Sequence, residues 1–281
     1  MWNFSLRAKF NMGVNLVKDN ILKALIVFAM PILISNIFQQ LYNTMDTMII
    51  GNILGDKSLA AIGACAAVYE LLIGFALGIG NGLSIVIARA YGAGDKKLLK
   101  RSVAASLVIG LVVTMIIMIF SKIFLYPLLK VLHTPANIIE ESYSYISTIT
   151  IFVGVMFAYN LLAGLLRAIG NSLMPLVFLI ISSVINVILD LVFIGKFNMG
   201  IKGAAVATVI AQGISAVLCL IYIVKKCKIL IPDKNCFKLD RGLYGELVGQ
   251  GLSMGFMMSI VSAGTIILQS AINSLGYLII A

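Results

Sequence analysis

Long apolar runs separated by short polar breaks make up most of the chain. A membrane-spanning helix needs roughly 20 predominantly apolar residues, because a helix rises about 1.5 Å per residue and the hydrocarbon core is about 30 Å thick. Seven runs meet this requirement, here called spans one to seven, at approximately 24–48, 59–88, 103–130, 143–168, 173–195, 203–224 and 246–272. The pattern predicts an all-α fold, a polytopic bundle of transmembrane helices.

Composition supports this prediction and excludes most soluble enzymes. Of the 281 residues, 61% are hydrophobic and only 11% are charged, whereas soluble domains are about one quarter charged. The chain contains no G-x-x-x-x-G-K-[ST] or H-E-x-x-H motif, so neither ATP hydrolysis nor zinc proteolysis is indicated. Cys227 and Cys236 lie near each other without a paired His, so no metal site is expected. We expect a protein that is not an enzyme.

The placement of positive charge predicts the orientation of the chain in the membrane. The net charge is +10, and most Lys and Arg residues lie in the N-terminal tail and in the loops after spans two, four and six. The exceptions are Lys57, Lys122, Lys130, Lys196 and Lys202. By the positive-inside rule, the N-terminus of a multi-pass plasma-membrane protein is then cytoplasmic. The excess of basic residues therefore reflects the orientation of the chain in the membrane and not binding of nucleic acid.

The one long polar stretch between spans divides the chain. We predict a cytoplasmic segment at 1–23, a six-helix N-lobe at 24–225, a cytoplasmic linker at 226–245, and at 246–281 a seventh helix that opens a second, incomplete lobe. Span one ends IIGNILG and span seven ends SAINSLG, which indicates a parallel repeat. We expect the chain to be the first half of a two-lobe protein plus one helix.

Asp190 is the residue that most strongly indicates a function. It lies in the apolar run of span five, where a carboxylate costs at least about 2.5 kcal/mol unless it is paired, hydrated or protonated. Asn186 precedes it by four residues and shares its helical face. Burial makes a carboxyl group take up a proton, so this pair could hold and release a proton or a small cation. The alternative is a hydrogen bond that joins two helices.

Other spans add polar residues at three- and four-residue steps, which place them on one helical face. Span one carries Asn36, Gln39, Gln40, Asn43, Asp46 and Thr47 at such steps, and span six carries Thr208, Gln212 and Ser215. Span four adds Tyr145 near its start and Asn160 further along, without this spacing. Lipid would reject such faces, so we expect them to line the bundle interior or a watery cavity. Glu70 is placed near the outer end of span two, within reach of interfacial water.

Five segments in order resemble the multidrug and toxic compound extrusion (MATE) transporters. They are MPILISNIFQQLYNTMDTMIIGNILG (30–55), ARAYGAGDKK (88–97), LLAGLLRAIGNSLMP (161–175), INVILD (185–190) and LQSAINSLG (268–276). The resemblance covers the chain from about residue 18. It implies a two-lobe antiporter that exports organic cations against a proton or sodium gradient, with no cofactor besides that coupling ion. It also implies that the remaining second-lobe helices are partners of this segment.

The resemblance also implies roles for particular residues. Asp46, Asn186 and Asp190 match the family's N-lobe cation site by motif, and Tyr145 and Thr208 match it by approximate position. We assign Gln39, Asn43, Asn160 and Gln212 to the substrate cavity. The alternatives are a flippase for lipid-linked saccharides with the same broad fold, or a membrane fragment that does not transport. The spans contain no central Lys or Arg, which favours a cationic substrate.

Overall fold

The computed structural model describes residues 21–274; the side chains of Ile21, Lys23, Ala24, Ala263 and 265–274 are not described. The predicted N-terminal segment up to residue 20 and the end of the SAINSLG repeat lie outside this part. Eight α-helices follow one another: α1 Ile21–Leu54, α2 Asp56–Gly92, α3 Lys96–Val131, α4 Ile139–Ile151, α5 Val153–Ala168, α6 Leu173–Asp190, α7 Ile201–Lys226 and α8 Arg241–Ser274. No strand occurs in the described residues, so the predicted all-α fold is confirmed.

Five of these helices are long and apolar enough to cross a bilayer within the described residues, namely α1, α2, α3, α7 and α6 with its continuation to Lys196. The number is six when the bent pair α4 and α5 is counted as one span. The division of the chain into a six-helix N-lobe, a linker and a second lobe stays a prediction. The seventh predicted helix is present as α8, which begins at Arg241, and it packs most extensively against α2.

Predicted span four is broken into two helices at Phe152, where α4 and α5 meet at an angle of 51°. The hydroxyls of Ser147, Thr148 and Thr150 donate to backbone carbonyls three or four residues earlier. Such bonds compete with the helical ladder, and the β-branched residues around them are weak helix formers. The helix closes at Phe152 with a tight turn, because the Phe152 N–H donates to the carbonyl of Ile149. No proline is needed for this bend.

Helix α6 changes its winding directly after Asp190. Residues Leu191–Lys196 form a π-helical segment, where each N–H bonds five residues back and not four. Short π-helical turns are rare in proteins and concentrate at functional sites. The apolar pattern predicted one continuous span here, because hydrophobicity does not register a change in hydrogen-bond spacing.

Glycines allow close approach at several helix crossings. A Cβ atom on Gly110 would lie 2.3 Å from the ring of Phe157, and one on Gly164 would lie 2.1 Å from Ser84 Oγ.

The pentapeptide 251–255 has the G-x-S-x-G spacing of serine hydrolases, but it lies within α8. A nucleophile elbow requires a turn between a strand and a helix, so this match has no catalytic meaning.

The linker between α7 and α8 is folded against the cytoplasmic ends predicted for α2 and α3. It contains two short 3-10 turns, Lys228–Leu230 and Lys234–Phe237. Lys100 Nζ lies 2.8 Å from Asp233 Oδ2, and Arg101 Nη2 lies 2.6 Å from Asp240 Oδ2. Arg89 forms a third ion pair with Glu246 of α8. We call these three pairs the linker ion pairs.

Candidate functional site

The candidate site lies where α1 meets α6 and α7. Among the described side chains of α1, only Tyr42, Asp46 and Ile50 are buried. They are spaced by four residues, so they form a single row along one side of the helix. This row is the part of α1 that faces the bundle, and Asp46 lies at its centre with only 8% of its surface exposed.

Helix α6 supplies two polar side chains that are completely buried. Asn186 and Asp190 are both 0% exposed. Both side-chain polar atoms of Asn186 and both carboxyl oxygens of Asp190 lack a hydrogen-bond partner within the protein, as does Asp46 Oδ1. Buried polar groups are nearly always satisfied, so a cluster of five unsatisfied atoms indicates a place for a proton, an ion or water.

The carboxyl groups of Asp46 and Asp190 are close enough to interact electrostatically. An ionised carboxylate can only accept, so a hydrogen bond between these two groups forms only when one of them carries a proton. With both ionised, two like charges would face each other in an apolar environment. The pair can therefore hold one shared proton, or a small cation that replaces it.

Helix α7 completes the polar centre with Thr208. The hydroxyl of Tyr42 donates to Thr208 Oγ1 over 3.2 Å, and both residues are buried. This bond links α1 to α7 one helical turn away from Asp46. One turn along α7, Gln212 is also buried and its Oε1 has no partner within the protein.

A cavity of about 230 Å³ leads to Asp46 from the side of α2. Its charged lining consists of Asp46 and Glu70, with no Lys or Arg, and its rings come from Tyr42, Tyr69 and Tyr145. Carboxylates and electron-rich aromatic faces both attract cations. Thr208, Cys65, Asn43 and Thr47 also line it.

The structure brings most of the predicted coupling residues together and separates the predicted cavity residues. Asp46, Tyr145 and Thr208 line the cavity, and Asp190 and Asn186 lie behind Asp46 on α6. Of the predicted cavity residues only Asn43 lines it: Gln39 is exposed on α1, Gln212 is buried beside Thr208, and Asn160 donates to the carbonyl of Met156 in its own helix.

The polar stripe of span one does not form one environment. Asp46 faces the bundle, whereas Asn36, Gln39, Gln40, Asn43 and Thr47 are exposed. Three- and four-residue steps cover more than a third of a helix surface, so one stripe can include both a buried edge and an exposed one.

Sequence reasoning missed Tyr42, Tyr69 and the position of Glu70. Tyr42 lies four residues before Asp46, and this spacing would have revealed it had aromatic hydroxyls been counted with the amides. Tyr69 and Glu70 lie 13 or more residues into α2, where nothing in the apolar pattern indicates which side faces a cavity. Within the described residues, no three His, Cys, Asp or Glu side chains cluster as metal ligands.

Comparison with known proteins gives a consistent result. The MatE family model matches residues 31–192. The chain is 31% identical over 266 residues to the probable multidrug resistance protein YoeA of Bacillus subtilis, covering 92% of this chain and 58% of YoeA. It is 23% identical over 252 residues to the multidrug export protein MepA of Staphylococcus aureus, covering 88% of this chain and 55% of MepA.

The fold agrees with solved structures. A MATE protein in the bent conformation superimposes with a TM-score of 0.80 at 26% identity, covering 87% of this chain and 55% of that one. The chain thus spans a little more than half the length of the relatives it matches. It is an integral multi-pass membrane protein, and with the family model matching more than half of its residues, it belongs to the MatE family of multidrug and toxic compound extrusion transporters.

Proposed function

We propose that this protein serves secondary active efflux, exporting organic cations in exchange for H⁺ or Na⁺ through the buried pair Asp46 and Asp190. One observation carries the proposal: two carboxyl groups and an amide lie buried together without partners inside a membrane bundle. Intramembrane carboxylates are costly, and those that face a bundle interior mark ion pathways and proton relays. The multidrug names of the relatives indicate the kind of cargo.

The exchange follows from competition for negative charge. When Asp46 and Asp190 take up a proton or Na⁺, the pair loses the charge that attracts an organic cation. When the organic cation binds, it favours the ionised pair and expels the coupling ion. Each ligand then lowers the affinity for the other by the same factor, because linkage is reciprocal. The second-lobe helices would complete the cavity for the rest of the substrate.

The charge of the cavity favours cations over lipid-linked saccharides. A flippase for anionic substrates needs basic groups in its cavity, whereas the charged groups that line this one are Asp46 and Glu70. Opposite charges attract more strongly where the walls are apolar and the effective dielectric constant is low. The same lining would repel a diphosphate group.

The test is ethidium efflux from cells that produce the protein or its Asp190→Asn variant. Asn has nearly the same volume as Asp and carries no titratable group, so we expect efflux at the level of cells without the protein. Asp233→Asn, which changes an exposed carboxylate of the linker ion pairs in the same way, should retain efflux. Undiminished efflux with Asp190→Asn at equal protein levels would rule out the assignment.

A further inference from the structure

Glu70 lies inside α2, a helix that is long and apolar enough to cross a bilayer. Helix α2 begins at Asp56 and runs for 37 residues, so Glu70 is 14 residues, or about 21 Å, from that end. Ionisable residues inside membrane-spanning segments line cavities or pathways.

Glu70 is followed along α2 by a row of glycines that faces α8. Glu70 belongs to a four-residue row with Gly74, Gly78 and Gly82. A Cβ atom on Gly78 would lie 2.7 Å from the carbonyl oxygen of Met254, and one on Gly82 would lie 2.4 Å from that of Gln250. Helix α8 therefore runs antiparallel along this row in almost direct backbone contact.

From Gly82 to Gly78 on α2 the contact on α8 moves from Gln250 to Met254. Further along the row, a Cβ atom on Gly74 would lie 3.9 Å from Ser262 Oγ, and Ser262 is 5% exposed. Glu70 lies one turn beyond Gly74 on α2. Glu70 thus stands where the α8-facing row of α2 opens into the cavity that holds Asp46, and its own side chain is exposed.

The cavity suits a charged head group better than a whole drug-sized molecule. Its volume of about 230 Å³ is below the roughly 300–1,000 Å³ of sites that enclose drug-sized ligands. Glu70 with the ring of Tyr69 at the exposed side combines a carboxylate and an aromatic face, the pairing that binds quaternary ammonium and similar cations. Asp46 lies further in and is almost inaccessible.

We propose that Glu70 is a specificity-determining residue that holds the positively charged group of an organic cation at the exposed side of this cavity, while Asp46 and Asp190 behind it hold the coupling ion. The organic cation and the coupling ion then bind at adjacent positions. They compete because each reduces the negative charge that attracts the other. This role presupposes the efflux activity proposed above, so its test includes a measurement that needs no transport.

The experiment measures the Kd of tetraphenylphosphonium for the purified protein, together with KM and kcat of ethidium efflux from cells. Glu70→Gln should raise Kd and KM about tenfold and leave kcat within twofold. A tenfold change corresponds to the lower end of the range of free energies that hydrogen bonds to charged groups contribute. Glu70→Asp keeps the charge and should recover most of the affinity. Glu140→Gln, which removes an exposed carboxylate that accepts a hydrogen bond from Tyr126 and does not line the cavity, should change neither constant.

The outcomes separate this role from the coupling site. A Kd and KM for Glu70→Gln within twofold of wild type, as for Glu140→Gln, would overturn the role, as would an equal loss in Glu70→Asp. Loss of kcat with an unchanged Kd would assign Glu70 to ion coupling and also overturn it. Failure of the efflux proposal has a different signature, namely full transport by Asp190→Asn whatever happens to the Kd of the Glu70 variants.

Discussion

Two regions of this molecule hold carboxylates in opposite ways. At the linker, Asp233, Asp240 and Glu246 each face a Lys or Arg of α2 or α3, and all three acids are substantially exposed. At the centre of the bundle, Asp46 and Asp190 are buried, and among the described residues neither forms an ion pair with a Lys or Arg.

The contrast separates structural charges from functional ones. An exposed ion pair contributes between about 0 and 1 kcal/mol, so the linker ion pairs position α8 without dominating stability. A buried carboxyl group without a partner costs stability and is retained where a ligand satisfies it. The predictions below change equivalent groups in both regions, beginning with the largest expected effect.

Asp190→Asn should stabilise the protein while it abolishes efflux. The substitution removes an unpartnered carboxyl group and supplies an amide N–H that can donate to Asp46, which should increase the free energy of unfolding by about 1–3 kcal/mol. Thermal unfolding in detergent, followed by intrinsic fluorescence, measures the change. A lower melting temperature would show that Asp190 is a structural link between helices and not a ligand site.

The bond between Tyr42 and Thr208 should contribute about 1 kcal/mol, since it is a neutral hydrogen bond between buried groups. Tyr42→Phe, Thr208→Val and the double variant form a cycle that isolates this pair. We expect the double variant to lose less stability than the sum of the single ones. Strict additivity of the unfolding free energies would mean that the two hydroxyls do not interact.

Asp240→Asn should have the smallest effect, and one that depends on pH. The backbone N–H of Leu243, and then the Arg101 guanidinium, hold the pKa of Asp240 below its ordinary value. A depressed pKa adds stability above the pKa of the unfolded chain, about 3.9, and this stability disappears as the pH falls through the lower folded value. The melting temperatures of variant and wild type should therefore differ slightly at neutral pH and converge below pH 4. A constant difference would contradict this.

The sequence predicted the helical bundle because its spans are long, apolar and evenly separated. It also indicated Asp190 together with Asn186, because a carboxylate in an apolar run is unusual and the two residues lie one helical turn apart. The resemblance to the MATE transporters added Asp46 to this pair. The break at Phe152 and the π-helical segment after Asp190 could not be predicted, since both depend on backbone hydrogen bonds that leave the hydropathy pattern unchanged.

The sequence was least informative about which side of a helix faces which neighbour. Gln39 and Asp46 belong to one polar stripe, yet the first is exposed and the second is buried, because the contact of α1 with the bundle is only one row wide. The apolar run also did not indicate that Glu70 lines the cavity that holds Asp46, because hydropathy does not show which side of α2 faces that cavity.

The most direct test of the central claim is the affinity of the purified protein for ethidium as a function of pH and of Na⁺ concentration. If Asp46 and Asp190 hold a coupling ion that competes with an organic cation, the affinity of the wild type should fall as H⁺ or Na⁺ rises, and that of Asp190→Asn should be independent of both. The account would be contradicted if the ethidium affinity of the wild type were independent of both ions. It would also be contradicted if the affinity of Asp190→Asn depended on them as strongly as that of the wild type.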